Sequence, residues 1–383
     1  MDRTVREIEY CTYCPKMCRH VCPVSNALGV ETLIPQAKMQ LMNMLRKGAV
    51  PWESDYLEPL YGCTACRLCT QYCLHGNQPA ITLQIGRTWA EERRLHHPAL
   101  RGLPQRFRER GQRLLGKLHQ EFSPHLFAEE AQVGYFPGCD AIECGLDDVR
   151  AAFRVFDHLG LNFVRLTSLG QACIGYPLWS SGFLDAARFV AEEVVKGLSR
   201  YATVVLGCPA CTYLLREKLP AEGFHLDTEI LHLTEFLYVH AERLEVKRRK
   251  PAAFYHDPCY LGRYLGVYDP PRRLLSRCVD SVREFFYARE EGECCGGGSL
   301  VPHTFPAAAA GQSARRLAEA ELFGAPLVVS ACPTCKRTLS RTTGPLRGSA
   351  VPARAARTKV EDLVGLIAWS IGEPEHPALE SAD

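Results

Sequence analysis

Two adjacent cysteines, Cys294 and Cys295, are followed directly by three glycines, and three more cysteines complete the pattern Cys259-x34-Cys294-Cys295-x36-Cys332-x2-Cys335. Neighbouring cysteines do not readily bond to each other as a disulfide. As thiolates they can hold a metal centre. A cubane iron–sulfur cluster needs four thiolates, one for each iron. A fifth points to a larger or more open cluster in which sulfur bridges iron atoms. Successive side chains of an extended backbone point to opposite sides, so Cys294 and Cys295 suit two irons better than one. Gly296, Gly297 and Gly298 remove Cβ atoms where the chain would bend around the centre. His256 and Asp257, just before Cys259, can tune or protonate a sulfur there or close a hydrogen-bonded turn. Lys336, beside Cys335, can offset cluster charge or lie in solvent.

The full chain has 383 residues and 19 cysteines. All but Cys144 and Cys278 fall into regular motifs, and those two read as buried structural thiols. The opening "MDRTVREIEY" has no apolar stretch, which predicts no signal peptide and a cytoplasmic protein. The cytosol keeps thiols reduced, so the cysteines read as metal or redox ligands. Near the amino terminus stand Cys11-x2-Cys14-x3-Cys18-x3-Cys22-Pro23 and Cys63-x2-Cys66-x2-Cys69-x3-Cys73. The second run matches the spacing of bacterial ferredoxins, with Leu74 in place of the usual proline, and the fourth cysteine of such a run serves the other cluster. This predicts two [4Fe–4S] cubanes, one on Cys11, Cys14, Cys18 and Cys73, the other on Cys63, Cys66, Cys69 and Cys22. Structural zinc is the alternative, but zinc ribbons use separated pairs rather than runs of four. Neither run has the Cys-x3-Cys-x2-Cys order that radical-SAM chemistry needs.

The elements that position these cysteines form a pattern of their own. The insert of 40 residues between Cys22 and Cys63 is long for a small β-ferredoxin and predicts a helical two-cluster domain over 1–86. Within it Leu41, Met44 and Leu45 fit one helical face. Residues 87–131 are rich in arginine and lack cysteine. Phe107, Leu114, Leu118 and Phe122 share a face, which predicts a helical linker docked on the ferredoxin domain or, through its apolar stripe, on a membrane. Beyond it the chain repeats itself. "VGYFPGC" at 133–139 matches "AFYHDPC" at 253–259, and "CIGYPL" at 173–178 matches "CCGGGS" at 294–299. "VVLGCPACTYLL" at 204–215 matches "VVSACPTCKRTL" at 328–339. Each copy mixes buried β-branched strands that end at Cys-Pro with amphipathic helices, which predicts α/β lobes. The expected fold is therefore α+β and multidomain, with lobes at 132–250 and 251–345 and a tail at 346–383 that carries one helix.

The net charge of +2 excludes a nucleic-acid surface, and no apolar run is long enough to predict a transmembrane segment. No Gly-x-Gly-x-x-Gly or Walker loop is present, so electrons should come from a separate flavoprotein subunit.

The Cys-x34-Cys-Cys-Gly and Cys-x2-Cys pattern, with "YHDPCYLGRYLGVYDPPRRLL" at 255–275, resembles the CCG family of iron–sulfur oxidoreductases. That family includes heterodisulfide reductase catalytic subunits and the iron–sulfur subunits of anaerobic glycerol-3-phosphate dehydrogenase and glycolate oxidase. The order of domains resembles the fused heterodisulfide reductase type. The resemblance implies a noncubane [4Fe–4S] cluster on Cys259, Cys294, Cys295, Cys332 and Cys335, which would be redox-active; by its place before Cys259, His256 is a candidate proton donor. It implies electron transfer between a flavoprotein and a thiol/disulfide or quinone acceptor. A pure relay to a quinone-reactive membrane subunit, at the inner face of the cell membrane, is the alternative. The first copy departs from the pattern, because Ile174 stands where the second adjacent cysteine belongs. Cys139, Cys173, Cys208 and Cys211 remain, enough for a further Fe–S cluster or zinc.

Overall fold

In the computed structural model, which describes residues 3–127, 131–167, 169–341 and 358–372, the sequence repeat becomes two sheets of one plan. β1 (Val133–Phe136), β2 (Val164–Leu166), β3 (Thr203–Leu206) and β4 (Glu229–His232) lie in the order β2-β1-β3-β4. β5 (Lys250–Tyr255), β6 (Val279–Glu284), β7 (Leu327–Ser330) and β8 (Lys359–Asp362) lie in the order β6-β5-β7-β8. Every pairing is parallel. β1 and β7 are buried along their whole length, as strands covered by helices on both faces must be.

This order fixes where ligands can collect. In each sheet the chain leaves the first strand toward one edge and then returns to build the other edge. The reversal lies between β1 and β3, and again between β5 and β7. Open parallel sheets bind ligands beyond the carboxyl ends of the strands at such a reversal. Cys139 and Cys208 follow β1 and β3, and Cys259 and Cys332 follow β5 and β7.

The amino-terminal region is helical. Residues 3–92 contain no strand among those described. Helix Pro35–Arg46 opens with proline, whose missing N–H costs nothing there, and buries Met39, Met42 and Leu45. Met44, expected on that face, is exposed. Helix Leu103–Glu121 buries Phe107, Leu114 and Leu118 as its stripe predicts. The stripe does not dock chiefly on the ferredoxin domain, however. Leu114 and Leu118 join the core of the first lobe, Lys117 donates to the Ile142 carbonyl at 2.8 Å, and Arg110 pairs with Asp140 and Glu143. No helix among the described residues is long and apolar enough to cross a membrane.

The segment after 345 also has a role in the lobes. Residues 346–357 and 373–383 lie outside the described residues. Between them, β8 supplies the fourth strand of the second sheet, and helix Leu363–Ser370 packs on helix Asp147–His158 of the first lobe. Further ties join the lobes. Lys336 donates to Asp148 at 2.8 Å and lies 3.6 Å from Glu361, so it serves the lobe interface rather than solvent. Arg337 pairs with Asp140 at 2.7 Å, and the Thr334 hydroxyl donates to the same carboxylate at 2.6 Å.

Candidate metal centres

The amino-terminal cysteines lie close to one another. Cys14 and Cys73 crowd Cys11, and all three crowd Cys18. Cys63 and Cys66 crowd Cys22, and Cys22, Cys63 and Cys66 crowd Cys69. Burial, reinforced by the neighbouring thiols, pushes Cys11 up to about 11 and Cys18 up to about 12. Burial likewise holds Cys69 well above the usual thiol range. A metal cation in the middle of such a set reverses that effect and favours the thiolates. Neutral N–H groups already point at the sulfurs. Asn77 Nδ2 donates to Cys11 Sγ at 3.3 Å, and the Ala65 N–H donates to Cys63 Sγ at 3.4 Å. The loop from Cys63 to Cys69 holds two non-glycine residues in the left-handed region, Ala65 at φ 54° and Arg67 at φ 59°. Side chains favour that region poorly, so the loop stores strain where it wraps the sulfurs.

Three buried cations surround the Cys22, Cys63, Cys66 and Cys69 set. Lys38, only 1% exposed, has its Nζ 4.0 Å from Cys22 Sγ and donates to the Gly62 carbonyl. Arg87 donates to the carbonyls of Leu60, Ser180 and Cys63. Arg263 donates to the carbonyls of Cys66, Glu290 and Gly292. None of the three meets a carboxylate among the described residues. Buried charge needs an opposite charge, and the thiolates with what they hold are the anion within reach.

In the second lobe the five cysteines come together in a line of contacts. Cys294 is hydrogen-bonded to Cys259 and Cys295, and Cys295 to Cys335, which is bonded in turn to Cys332. Hydrogen bonds from Cys294, then Cys335 and His256, hold Cys295 well below the usual thiol range despite burial. The ligand atoms of His256, Cys295 and Cys335 lie within 4.8 Å of one another. Arg316 Nε donates to His256 Nδ1 at 3.4 Å. An arginine cannot accept, so the imidazole proton sits on Nε2. The two adjacent cysteines do have different neighbours, as their alternation predicts. The glycines also lie against protein. A Cβ on Gly296, which sits at φ +94°, would lie 2.6 Å from the Ala309 carbonyl oxygen, and one on Gly298 would collide with the Thr64 carbonyl. They make room for neighbouring protein.

In the first lobe the free thiol of Cys139 lies beside Cys173, and that of Cys211 lies beside Cys208 and near the other two. Ile174 is fully buried in an apolar cluster that includes Phe136. Phe136 stands at the position of His256, and Ile174 at that of Cys295. A thiol and its imidazole neighbour have thus both been replaced by core side chains. Cys278 is buried as expected, whereas Cys144 is exposed and so is not a buried structural thiol.

The sets form a continuous series. Cys69 of the second set feels Cys18 of the first. Cys66 is hydrogen-bonded to Cys294 of the second lobe, and Cys332 feels Cys208 of the first lobe. The Cys294 thiol also donates to Thr64 Oγ1 at 3.5 Å. Sequence spacing alone carried no sign of these junctions or of the three cations, because each joins residues far apart in the chain.

A family model described as a cysteine-rich CCG domain matches residues 133–216 and 253–340, and a 4Fe–4S dicluster domain matches residues 7–77. The chain belongs to the CCG-domain iron–sulfur proteins. This CCG protein is 29% identical to a component of the dihydromethanophenazine:CoB–CoM heterodisulfide reductase of Methanosarcina acetivorans, over 96% of its own length and 94% of the relative's. It is 29% identical to a component of the CoM/CoB fumarate reductase of Methanothermobacter marburgensis, over 73% of this chain and 56% of that one. A shorter stretch, 39% of this chain and 21% of the relative, is 29% identical to EtfAB:quinone oxidoreductase of Syntrophomonas wolfei. Membership and buried thiol sets with N–H donors and unpaired cations agree with bound iron–sulfur clusters and a redox role.

Proposed function

We propose that this CCG protein is the iron–sulfur electron-transfer subunit of an anaerobic-type, heterodisulfide-reductase-like oxidoreductase. It carries electrons between a flavoprotein partner and a thiol/disulfide or quinone acceptor. The single observation that carries the reading is the packing of Cys66, from the second amino-terminal set, against Cys294 and Cys259 of the second lobe. Two [4Fe–4S] cubanes and one noncubane [4Fe–4S] cluster, bound in the first three sets, would supply one-electron steps. A further cluster or zinc would occupy the four thiols of the first lobe.

The chain's own residues do the rest. The rim of the first set is the open end, where Tyr10, Tyr13, Met17 and Leu74 are exposed beside its cysteines. That apolar rim suits the approach of a flavoprotein. Tyr176, Tyr213, Tyr260 and Tyr264 pack together between the Cys63–Cys69 loop and both lobes, and exclude water there. His256 lies beside Cys295 and Cys335, where its ring could exchange a proton with a sulfur.

A second reading is a relay in a flavin dehydrogenase of the glycerol-3-phosphate, glycolate or lactate type, passing electrons to a quinone-reactive membrane subunit with no substrate site of its own. Burial favours it, since Cys294, Cys295, Cys332 and Cys335 are all covered. In either case the chain would work in the cytoplasm, reaching the membrane's inner face through a partner. One experiment separates the readings. The anaerobic protein is reduced with a low-potential dye and then mixed with disulfides. Reoxidation of the cluster spectrum by a disulfide supports the first reading. Exchange with a flavoprotein, without reoxidation by any disulfide, supports the second. Iron should number about 12 per chain for three four-iron clusters and about 16 if the first lobe holds one. Zinc without iron would defeat both readings.

A further inference from the structure

The two amino-terminal thiol sets sit in opposite electrical surroundings. Around Cys22, Cys63, Cys66 and Cys69 stand the buried cations Lys38, Arg87 and Arg263, each without a carboxylate partner among the described residues. In the other set the Glu7 carboxylate acts on Cys11, and the donor to the Cys11 sulfur is the neutral amide of Asn77. Glu7 is itself buried, where it accepts from the Thr82 hydroxyl at 2.9 Å and the Gln78 N–H at 3.1 Å. Its ion pair is with Arg3, whose side chain is largely exposed. Charges act more strongly in a buried site than at a solvated one. Adding an electron makes a four-thiolate centre more negative, so a nearby cation favours reduction and a nearby carboxylate opposes it.

We propose that Lys38 makes the centre at Cys22, Cys63, Cys66 and Cys69 the more easily reduced of the two amino-terminal centres, with Glu7 holding the other harder to reduce. The inference rests on the iron–sulfur reading of these sets and adds an order of potentials to it. Arg87 and Arg263 contribute in the same sense, but they also fix loop carbonyls. Lys38 fixes one carbonyl and faces a sulfur, so it is the cleaner handle. The order places an electron that arrives at the open rim beside Cys294 rather than back at the surface.

The test is an anaerobic redox titration of the full-length protein, followed by electron paramagnetic resonance. Cys14→Ser and Cys69→Ser assign the two cubane signals. In the wild type the signal altered by Cys69→Ser should appear first as the potential is lowered. Lys38→Met should lower that midpoint by about a tenfold loss in the one-electron reduction constant, which is 59 mV, and leave the other midpoint in place. Lys38→Arg should keep the wild-type value. Glu7→Gln should raise only the midpoint of the signal altered by Cys14→Ser, and so gives an independent reading if Lys38→Met fails to assemble. Unmoved midpoints in Lys38→Met with iron and sulfide intact, or the reverse order in the wild type, would overturn the proposal. A wild-type protein without iron would overturn it together with the reading beneath it, and metal analysis tells the two failures apart.

Discussion

Cys295 meets Cys294 and Cys335 and faces His256, while Cys294 reaches Cys259 and Cys66. Replacing Cys295 should therefore strip one centre and spare the rest. We expect Cys295→Ser to lose about four irons per chain while both amino-terminal cubane signals persist. Iron analysis with paramagnetic resonance checks this. Gly298 presses against the Thr64 carbonyl in the loop of the second amino-terminal set. Gly298→Ala should destabilise the protein by about 1–3 kcal/mol, because backbone must shift to admit the methyl group. Anaerobic denaturant unfolding would show the loss, and an unchanged midpoint would count against the contact. The cysteines themselves were legible, since thiols at short fixed spacing have few other uses. Lys38 and Arg263 were not, because nothing in their local sequence sets them apart from solvated lysines and arginines.

At the scale of elements, the caps carry chemistry of their own. Asp362 ends β8 and accepts the Val364 N–H at 3.0 Å, opening helix Leu363–Ser370. Burial, with Asp148 nearby, raises its carboxyl from 3.8 to about 8. Between those values the folded chain keeps a proton that the unfolded chain has released, so this group's contribution to stability falls as pH rises through the window. Asp362→Asn keeps an oxygen for the cap and removes the titration. The variant's advantage over the wild type should grow by several kcal/mol between about pH 4 and about pH 9. Thermal unfolding at the two pH values decides the matter. Among the strands, β3 and β7 announce themselves as β-branched runs that end at Cys-Pro. β6 reads Val-Asp-Ser-Val-Arg-Glu and is exposed along most of its length, so it lacks a buried run. β8 is short and comes after a stretch that reads as tail. The turns Leu214–Lys218 and Tyr260–Tyr264 are π-helical, a conformation with no sequence signature to find.

For the whole molecule, the repeat was visible in the sequence but the meeting of its two copies was not. The lobes join through Lys336, which is set among Asp148 and Glu361. Lys336→Met would leave buried carboxylates without a counter-charge and should cost about 3 kcal/mol. It should also loosen the approach of Cys332 to Cys208, seen as a weakened magnetic interaction if both lobes hold paramagnetic centres. The crossing of the chain's later part over the first lobe has a temporal meaning as well. β8 and helix Leu363–Ser370 emerge from the ribosome after every surface they cover. Until they arrive, the first lobe lacks a partner for helix Asp147–His158 and the second sheet has an open edge. The amino-terminal sets, complete by Cys73, can take up metal while translation is still running. The second sheet must wait for β8, so maturation of this protein should proceed from front to back.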